Sequence, residues 1–225
     1  MNVLHICANP KPAGESVSKQ LSIAFISALV ESNPDAEINN IDLYQEPPPY
    51  LSNEMFRALW KPIFDPGFKP TAKEEKSAEY AQFHAEMFNA ADVLILTMPM
   101  WNFGAPAIMK AWIDQIMTPG LTFKLGPNGV EPMHRLRKVV LLVSSGGVYK
   151  EGDPRDALSA QIRAAFDFIK VNDFTVAWAD GQTAMFFGDH EERKQTAIEA
   201  AQEDAQELAA EMAATAAVPA APAPA

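Results

Sequence analysis

The chain has 225 residues, 48% of them hydrophobic, and a formal charge of −11 at neutral pH. That length fits one domain with a full core, and the acidic balance argues against nucleic acid as a partner, because phosphate backbones require a basic face. No apolar run reaches the roughly 18–20 residues of a membrane helix; a secretory leader is not expected; and the one cysteine, Cys7, excludes an internal disulfide and suits a reducing cytoplasm.

The first element is a short β-type run, Val3 to Ala8. It opens into Asn9-Pro-Lys-Pro-Ala-Gly-Glu-Ser16-Val17-Ser18, after which Ser18 to Glu31 is helical by the spacing of Leu21, Ala24, Phe25, Ala28 and Leu29. Hydroxyls and backbone N–H groups at a helix start suit a phosphate. The same residues read equally as an ordinary serine N-cap. No Gly-Lys-Ser/Thr occurs here, which sets a nucleoside-triphosphate loop aside. Glu37 to Leu43 is a weaker strand that suits a sheet edge. Residues 44–76 make a long connection with six prolines, too aromatic for a linker, expected to pack over the site or against a second subunit.

Residues 77–90 are predicted helical, followed by the apolar strand Val93 to Thr97 and a helix from Ala105 to Thr118. Between strand and helix stands Pro99-Met100-Trp101-Asn102-Phe103, which offers consecutive backbone N–H groups, aromatic cover and one amide to a flat conjugated ring. Residues 121–133, with Asn128-Gly129 at their centre, predict a β-hairpin excursion. Leu136 to Ser144 is an apolar run typical of a strand covered on both faces. It ends in Ser144-Ser145-Gly146-Gly147-Val148-Tyr149, where two glycines either let backbone approach a ligand or make a plain turn. Ala157 to Lys170 is helical, Phe174 to Trp178 is a fifth strand, and 190–213 is a long helix. Residues 189–211 carry eight acids against two bases, a solvated helix face. Residues 213–225 form an Ala/Pro tail expected to be disordered.

The β–α alternation implies an α/β fold, a doubly wound parallel sheet of five strands in the flavodoxin-like order 2-1-3-4-5, with helices on both faces. Loops after strands one, three and four then share one edge around the switch point, and together they point to a bound flavin and redox chemistry. Trp112, spaced with Ile108 and Ile116, is expected in the core. His5, His84, His134 and His190 show no metal spacing, so no metal site is assigned.

On Asn9…Ala13-Gly14…Ser16-Val17-Ser18, Pro99 to Phe103, Gly120 to Phe123 with Asn128-Gly129, and Ser144 to Gly147, the chain resembles the FMN-dependent NADH-azoreductases and NAD(P)H:quinone oxidoreductases over about residues 1–210. The resemblance implies a domain over 1–212 that binds FMN, a homodimer, and ping-pong transfer of hydride from NADH or NADPH to quinones or azo compounds. It implies that Asn9, Ser16, Val17 and Ser18 hold the phosphate. Pro99, Met100, Trp101, Asn102 and Phe103 would line the isoalloxazine together with Ser144, Ser145, Gly146 and Gly147. Phe123 and Phe168 would be aromatics over the substrate face of a site formed by both subunits. Tyr149 is a candidate proton or hydrogen-bond donor to the acceptor, or a ring that packs beside the flavin with its hydroxyl wet. The family often has Arg at Ser145, His at Tyr149 and Tyr at Trp101, so substrate choice is where this chain is expected to differ. A flavodoxin-type electron carrier and a flavin-fold ancillary subunit are the alternatives.

Overall fold

The computed structural model describes residues 1–150 and 152–216. Its strands are β1 (Asn2–Cys7), β2 (Glu37–Asp42), β3 (Val93–Pro99), β4 (Phe123–Gly126), β5 (Gly129–Pro132), β6 (Lys138–Ser144) and β7 (Phe174–Ala179). Five of them form a parallel sheet in the order β2-β1-β3-β6-β7. The antiparallel pair β4–β5 stands apart as the expected hairpin, so β6 and β7 are the fourth and fifth strands of the sheet and the 2-1-3-4-5 order holds.

The helices are α1 (Val17–Ser32), α2 (Asn53–Phe64), α3 (Ala72–Ala90), α4 (Ala107–Ile116), α5 (Ala157–Phe168) and α6 (His190–Ala216). Every residue of β3 is buried, as are all of β6 but Lys138, because side chains alternate between two covered faces. Leu94, Leu96, Leu141 and Val143 meet Phe88 of α3, Trp112 of α4 and Phe166 of α5. Ile95, Val140 and Leu142 meet Leu21 and Phe25 of α1 on the other side. Ala197, Ala201, Ala205 and Leu208, at helical spacing, lay the inner stripe of α6 on the same layer and leave its acids, apart from the half-buried Asp204, to solvent. Trp112 and Cys7 are both core residues, and burial pushes the Cys7 thiol up from its ordinary value.

The structure corrects the sequence reading in three places. The 44–76 connection contains a full helix, α2, whose sequence is obscured by Pro62 within it. Met55 and Leu59 of α2 bury against Ala78 and Ala81 of α3, and Arg57 Nε donates to Glu74 at 2.5 Å. α3 begins at Ala72 rather than 77, because Thr71 and Glu74 close a capping box. The Thr71 amide and the Arg57 guanidinium hold the Glu74 carboxyl down to about 2. α6 runs on to Ala216, past the boundary expected at 212; the rest of the expected tail, 217–225, lies outside the described residues.

Two buried histidines are held neutral. His84 is 2% exposed, and its Nδ1 accepts the Trp112 indole N–H at 3.1 Å, which a protonated ring cannot do. Burial lowers its pKa to about 4. His5 is lowered by burial as well, with its ring nitrogens 2.8 Å from Asn40 Oδ1 and 2.8 Å from Thr97 Oγ1. A histidine depressed in the folded state contributes stability that is fully present above its unfolded value and is lost as pH falls towards the folded one. Unfolding free energy measured in urea is therefore expected to drop between about pH 7.5 and about pH 5, by about 2 kcal/mol for His84. A His84→Gln variant should show a shallower slope over that window.

Candidate functional site

The site is built at the carboxyl edge of the sheet, where β1, β3 and β6 end side by side. Pro99 pairs in register with Ser144, Met100 N–H donates to the Ser144 carbonyl at 2.8 Å, and Ala8 N–H donates to the Thr97 carbonyl at 2.8 Å. The loops after these three strands consequently leave from one line. The chain reverses between β1 and β3, since β1 connects to β2 on one side and β3 to β6 on the other. That reversal is the crevice where open α/β sheets take ligands.

The first loop closes on itself through neutral polar groups. Asn9 Nδ2 donates to Ser16 Oγ at 2.7 Å and to Ser18 Oγ at 3.0 Å, and all three residues are buried. Ser16 also caps α1, its hydroxyl accepting from Lys19 N–H at 3.2 Å. The two sequence readings of this loop thus coexist: Ser16 is an N-cap within a pocket of hydroxyls at a helix N-terminus. The N–H groups of Val17 and Ser18 belong to the first turn, which an α-helix leaves without intrahelical acceptors.

The second loop is a tight reversal. Trp101 and Gly104 exchange both backbone hydrogen bonds, at 3.0 and 3.1 Å. The two residues between them have positive φ, 48° at Asn102 and 70° at Phe103, the pattern of a type I′ turn. Asn tolerates this conformation, whereas a bulky Phe is strained there by about 1–3 kcal/mol. The strain is held from outside, since the Phe103 carbonyl accepts from Ala157 N–H at 3.0 Å, fixing the turn to the start of α5.

The third loop is clamped by a fourth that the sequence reading missed, between β7 and α6. Gln182 N–H donates to the Ser145 carbonyl, Thr183 N–H to that of Gly146 and Gly181 N–H to that of Gly147, at 2.9, 3.3 and 3.0 Å. A Cβ on Gly146 would lie 2.5 Å from Thr183 Oγ1, so glycine is what allows this approach. Ser145 is only 4% exposed. Its hydroxyl donates to the Gly147 carbonyl at 2.8 Å and accepts the Trp178 indole N–H at 2.8 Å. Tyr149 stacks on Trp178 at 5.9 Å between ring centroids, with the Arg155 guanidinium 5.4 Å from its own ring. Asp153 pairs with Arg155 and is held down to about 2 by it. The charge near Tyr149 is thereby balanced.

These loops border an open cavity of about 440 Å³. Met100, Asn102 and Phe103 form one wall, Gly146, Gly147 and Tyr149 another, and Thr183, Phe186 and Phe187 a third. Asn9, Ser16 and Ser18 lie in the adjoining loop rather than in the cavity wall. Pro99 is buried at the end of β3, and Trp101 stands 41% exposed. Phe123 and Phe168 do not line the cavity of their own chain. They pack edge to face with each other at 5.2 Å, Phe123 buried and Phe168 51% exposed. A second, larger cavity of about 900 Å³ lies beyond Tyr149, between the β6–α5 loop and β7, and holds none of the other residues of the three loops. The missed wall has a signal in the sequence, namely Gly181 after an edge strand followed by the apolar triplet Met185-Phe186-Phe187 in a turn.

A model of the flavodoxin-like fold matches residues 1–209. An FMN-dependent NADH:quinone oxidoreductase from Brevibacillus brevis is 35% identical over 181 residues, 80% of this chain and 86% of that protein. A protein of the same description from Azospirillum brasilense is 32% identical over 90% of this chain and 94% of its own length. Among solved structures, an FMN-dependent NADH-azoreductase from Bacillus anthracis str. Ames Ancestor in complex with FMN superposes with a TM-score of 0.81 at 26% identity, covering 92% of this chain and 99% of that one. The chain belongs to the flavodoxin-like family of FMN-dependent NADH:quinone oxidoreductases, and is an enzyme of that class.

The clamp around Ser145 can be tested directly. Ser145→Ala leaves the Trp178 indole N–H and the Gly147 carbonyl without their partner and should lower the urea unfolding free energy by about 1–2 kcal/mol, whereas Ser52→Gly at the half-buried α2 cap should cost less than about 1 kcal/mol.

Proposed function

We propose that this chain binds FMN at the three loops and catalyses NADH-dependent reduction of quinones, with azo compounds as further acceptors. The observation that carries the reading is the chemistry of the donor set. Asn9, Ser16 and Ser18 offer neutral hydroxyl and amide groups, with no carboxylate among them, at the N-terminus of a sixteen-residue helix. A phosphate dianion fits such a cradle. The adjoining cavity, floored by turn 101–104 and the glycine loop, suits a planar ring. FMN held there would supply the redox chemistry, relaying hydride from a nicotinamide to the acceptor in a ping-pong scheme, while the residues of the three loops would hold and orient it.

The protein's own groups bind and orient. Asn9, Ser16, Val17 and Ser18 hold the phosphate. Pro99, Met100 and Trp101 back the isoalloxazine by packing, since Pro99 has no N–H and those of Met100 and Trp101 donate to the Ser144 and Gly104 carbonyls. The Asn102 and Phe103 N–H groups, with the Asn102 amide, are left to face the ring. Ser144, Ser145, Gly146 and Gly147 face its other edge, with Ser145 acting through the Trp178 and Gly147 contacts that fix the loop. Tyr149, which stacks on Trp178 and lines the cavity, is the proposed hydroxyl donor to an acceptor. Preformed donors of this kind stabilise negative charge where it develops.

We further propose a homodimer in which Phe123 and Phe168 of one subunit complete the site of the other. Leu125, Met133 and Phe168 are exposed on and near the hairpin, where a second copy would cover them. The domain that closes with α6 at Ala216, with α2 seated on α3, is the catalytic unit. A reducing cytoplasm is its proposed setting. No helix among the described residues is long and apolar enough to cross a membrane.

In an anaerobic absorption titration the purified protein should show bound oxidised flavin that bleaches with NADH and returns with a quinone. Flavin that stays oxidised with NADH would overturn the reading. Ser18→Ala should weaken FMN roughly tenfold by fluorescence titration while moving riboflavin, which has no phosphate, less than about threefold; equal losses for both flavins would remove Ser18 from the phosphate site.

A further inference from the structure

The loop that forms the third wall of the cavity is fixed at its base and bare at its tip. Its start is stitched to the glycine loop by the three backbone bonds from Gly181, Gln182 and Thr183. Gln182 Nε2 donates to the carbonyls of Asp180 at 2.9 Å and His190 at 3.0 Å. Arg193 bridges the two ends, at 2.9 Å to Asp180 and 2.8 Å to Asp189. Phe186 and Phe187 N–H both donate to the Thr183 carbonyl, at 2.8 and 3.1 Å. The segment thus presents its side chains from a built platform.

Met185 on that platform is 84% exposed and Phe186 is 73% exposed, yet Phe186 lines the cavity together with Phe187. Trp101 and Phe103 stand 41% and 51% exposed on the opposite loop. Large apolar groups left in water at the mouth of a pocket mark a surface that something covers. A cavity of about 440 Å³ that takes a flavin ring has room for a flat acceptor against it, while any long substituent of that acceptor has to leave across the rim. The cavity lining carries no charged side chain, and the rim offers an uncharged substituent apolar contact.

We propose that Met185 and Phe186 receive the aliphatic side chain of a lipophilic quinone whose ring lies in the cavity, and so set acceptor preference. This rests on the quinone-reductase reading given above. The rim groups act on binding of the tail and not on the hydride step.

The test compares FMN-loaded wild type, M185S/F186S and M185L/F186L in steady-state turnover with NADH and two acceptors. These share one dimethoxy-benzoquinone ring, one bare and one carrying a decyl chain. The ratio of kcat/KM for the decyl quinone over the bare quinone is expected to fall at least roughly tenfold in the serine variant and to stay within about threefold of wild type in the leucine variant. A ratio unchanged in the serine variant would overturn the proposal while leaving the quinone-reductase reading intact. Wild type that turns over neither quinone would overturn both. Light scattering on the same samples supplies the last check: if the serine variant loses assembled mass and both acceptors decline together, the rim is a subunit contact and the proposal fails.

Discussion

The parallel register of β1, β3 and β6 is the constraint on which the rest depends. Because these strands are in step, Cys7 beside Thr97 and Pro99 beside Ser144, their carboxyl ends stop together and three loops separated by some 130 residues of sequence emerge along one edge. A one-residue slip of β6 against β3 would turn Leu141 and Val143 to the wrong layer. It would also break the Met100–Ser144 bond that joins the second loop to the third. The apolar alternation that keeps the core packed is thus also what keeps the site assembled.

Around that edge the chain holds its loops by different means. The 101–104 reversal is strained at Phe103 and tied down by Ala157 of α5. The glycine loop is relaxed in itself but pinned on both sides, by the Ser145 hydroxyl from within and by the 181–183 segment from without. The phosphate-type loop needs neither, since Asn9, Ser16 and Ser18 satisfy one another when buried. Rigid loops on a rigid edge suit a site in which the bound group does the chemistry and the protein supplies placement.

Much of this was legible from sequence because it depends on periodicity. The continuous apolar runs at Val93 and Val139 announce central parallel strands, and the spacing of Leu21, Phe25 and Leu29 announces α1. The loops were legible because turn-forming and hydroxyl residues follow those runs directly. What was not legible is tertiary. α2 is masked by Pro62 and the prolines before it, and the helix stands because Met55, Leu59 and Arg57 find α3. The early start of α3 depends on a capping box that opens on Thr71 before any apolar periodicity is visible. The third wall is hinted at by Gly181 and the Met185-Phe186-Phe187 triplet, but its placement depends on backbone bonds between 181–183 and 145–147, which join segments far apart in the chain. Phe123 and Phe168 were legible as aromatics, but their pairing with each other, between the hairpin after α4 and the end of α5, is a tertiary contact that neither local sequence announces.

The burial of Cys7 has a chemical consequence for an enzyme of this class. Quinones are electrophiles that add thiolates at the ring, so an accessible cysteine near such a site would be consumed by the molecules it serves. Here the only thiol of the chain is on β1, 7% exposed, with its ionisation pushed upward by its surroundings. It has little thiolate to offer and little access for a ring. The fold thereby gives the protein an inherent resistance to covalent inactivation by arylation, obtained by placing a small sulfur side chain in the packed sheet and leaving every solvent-facing position without one.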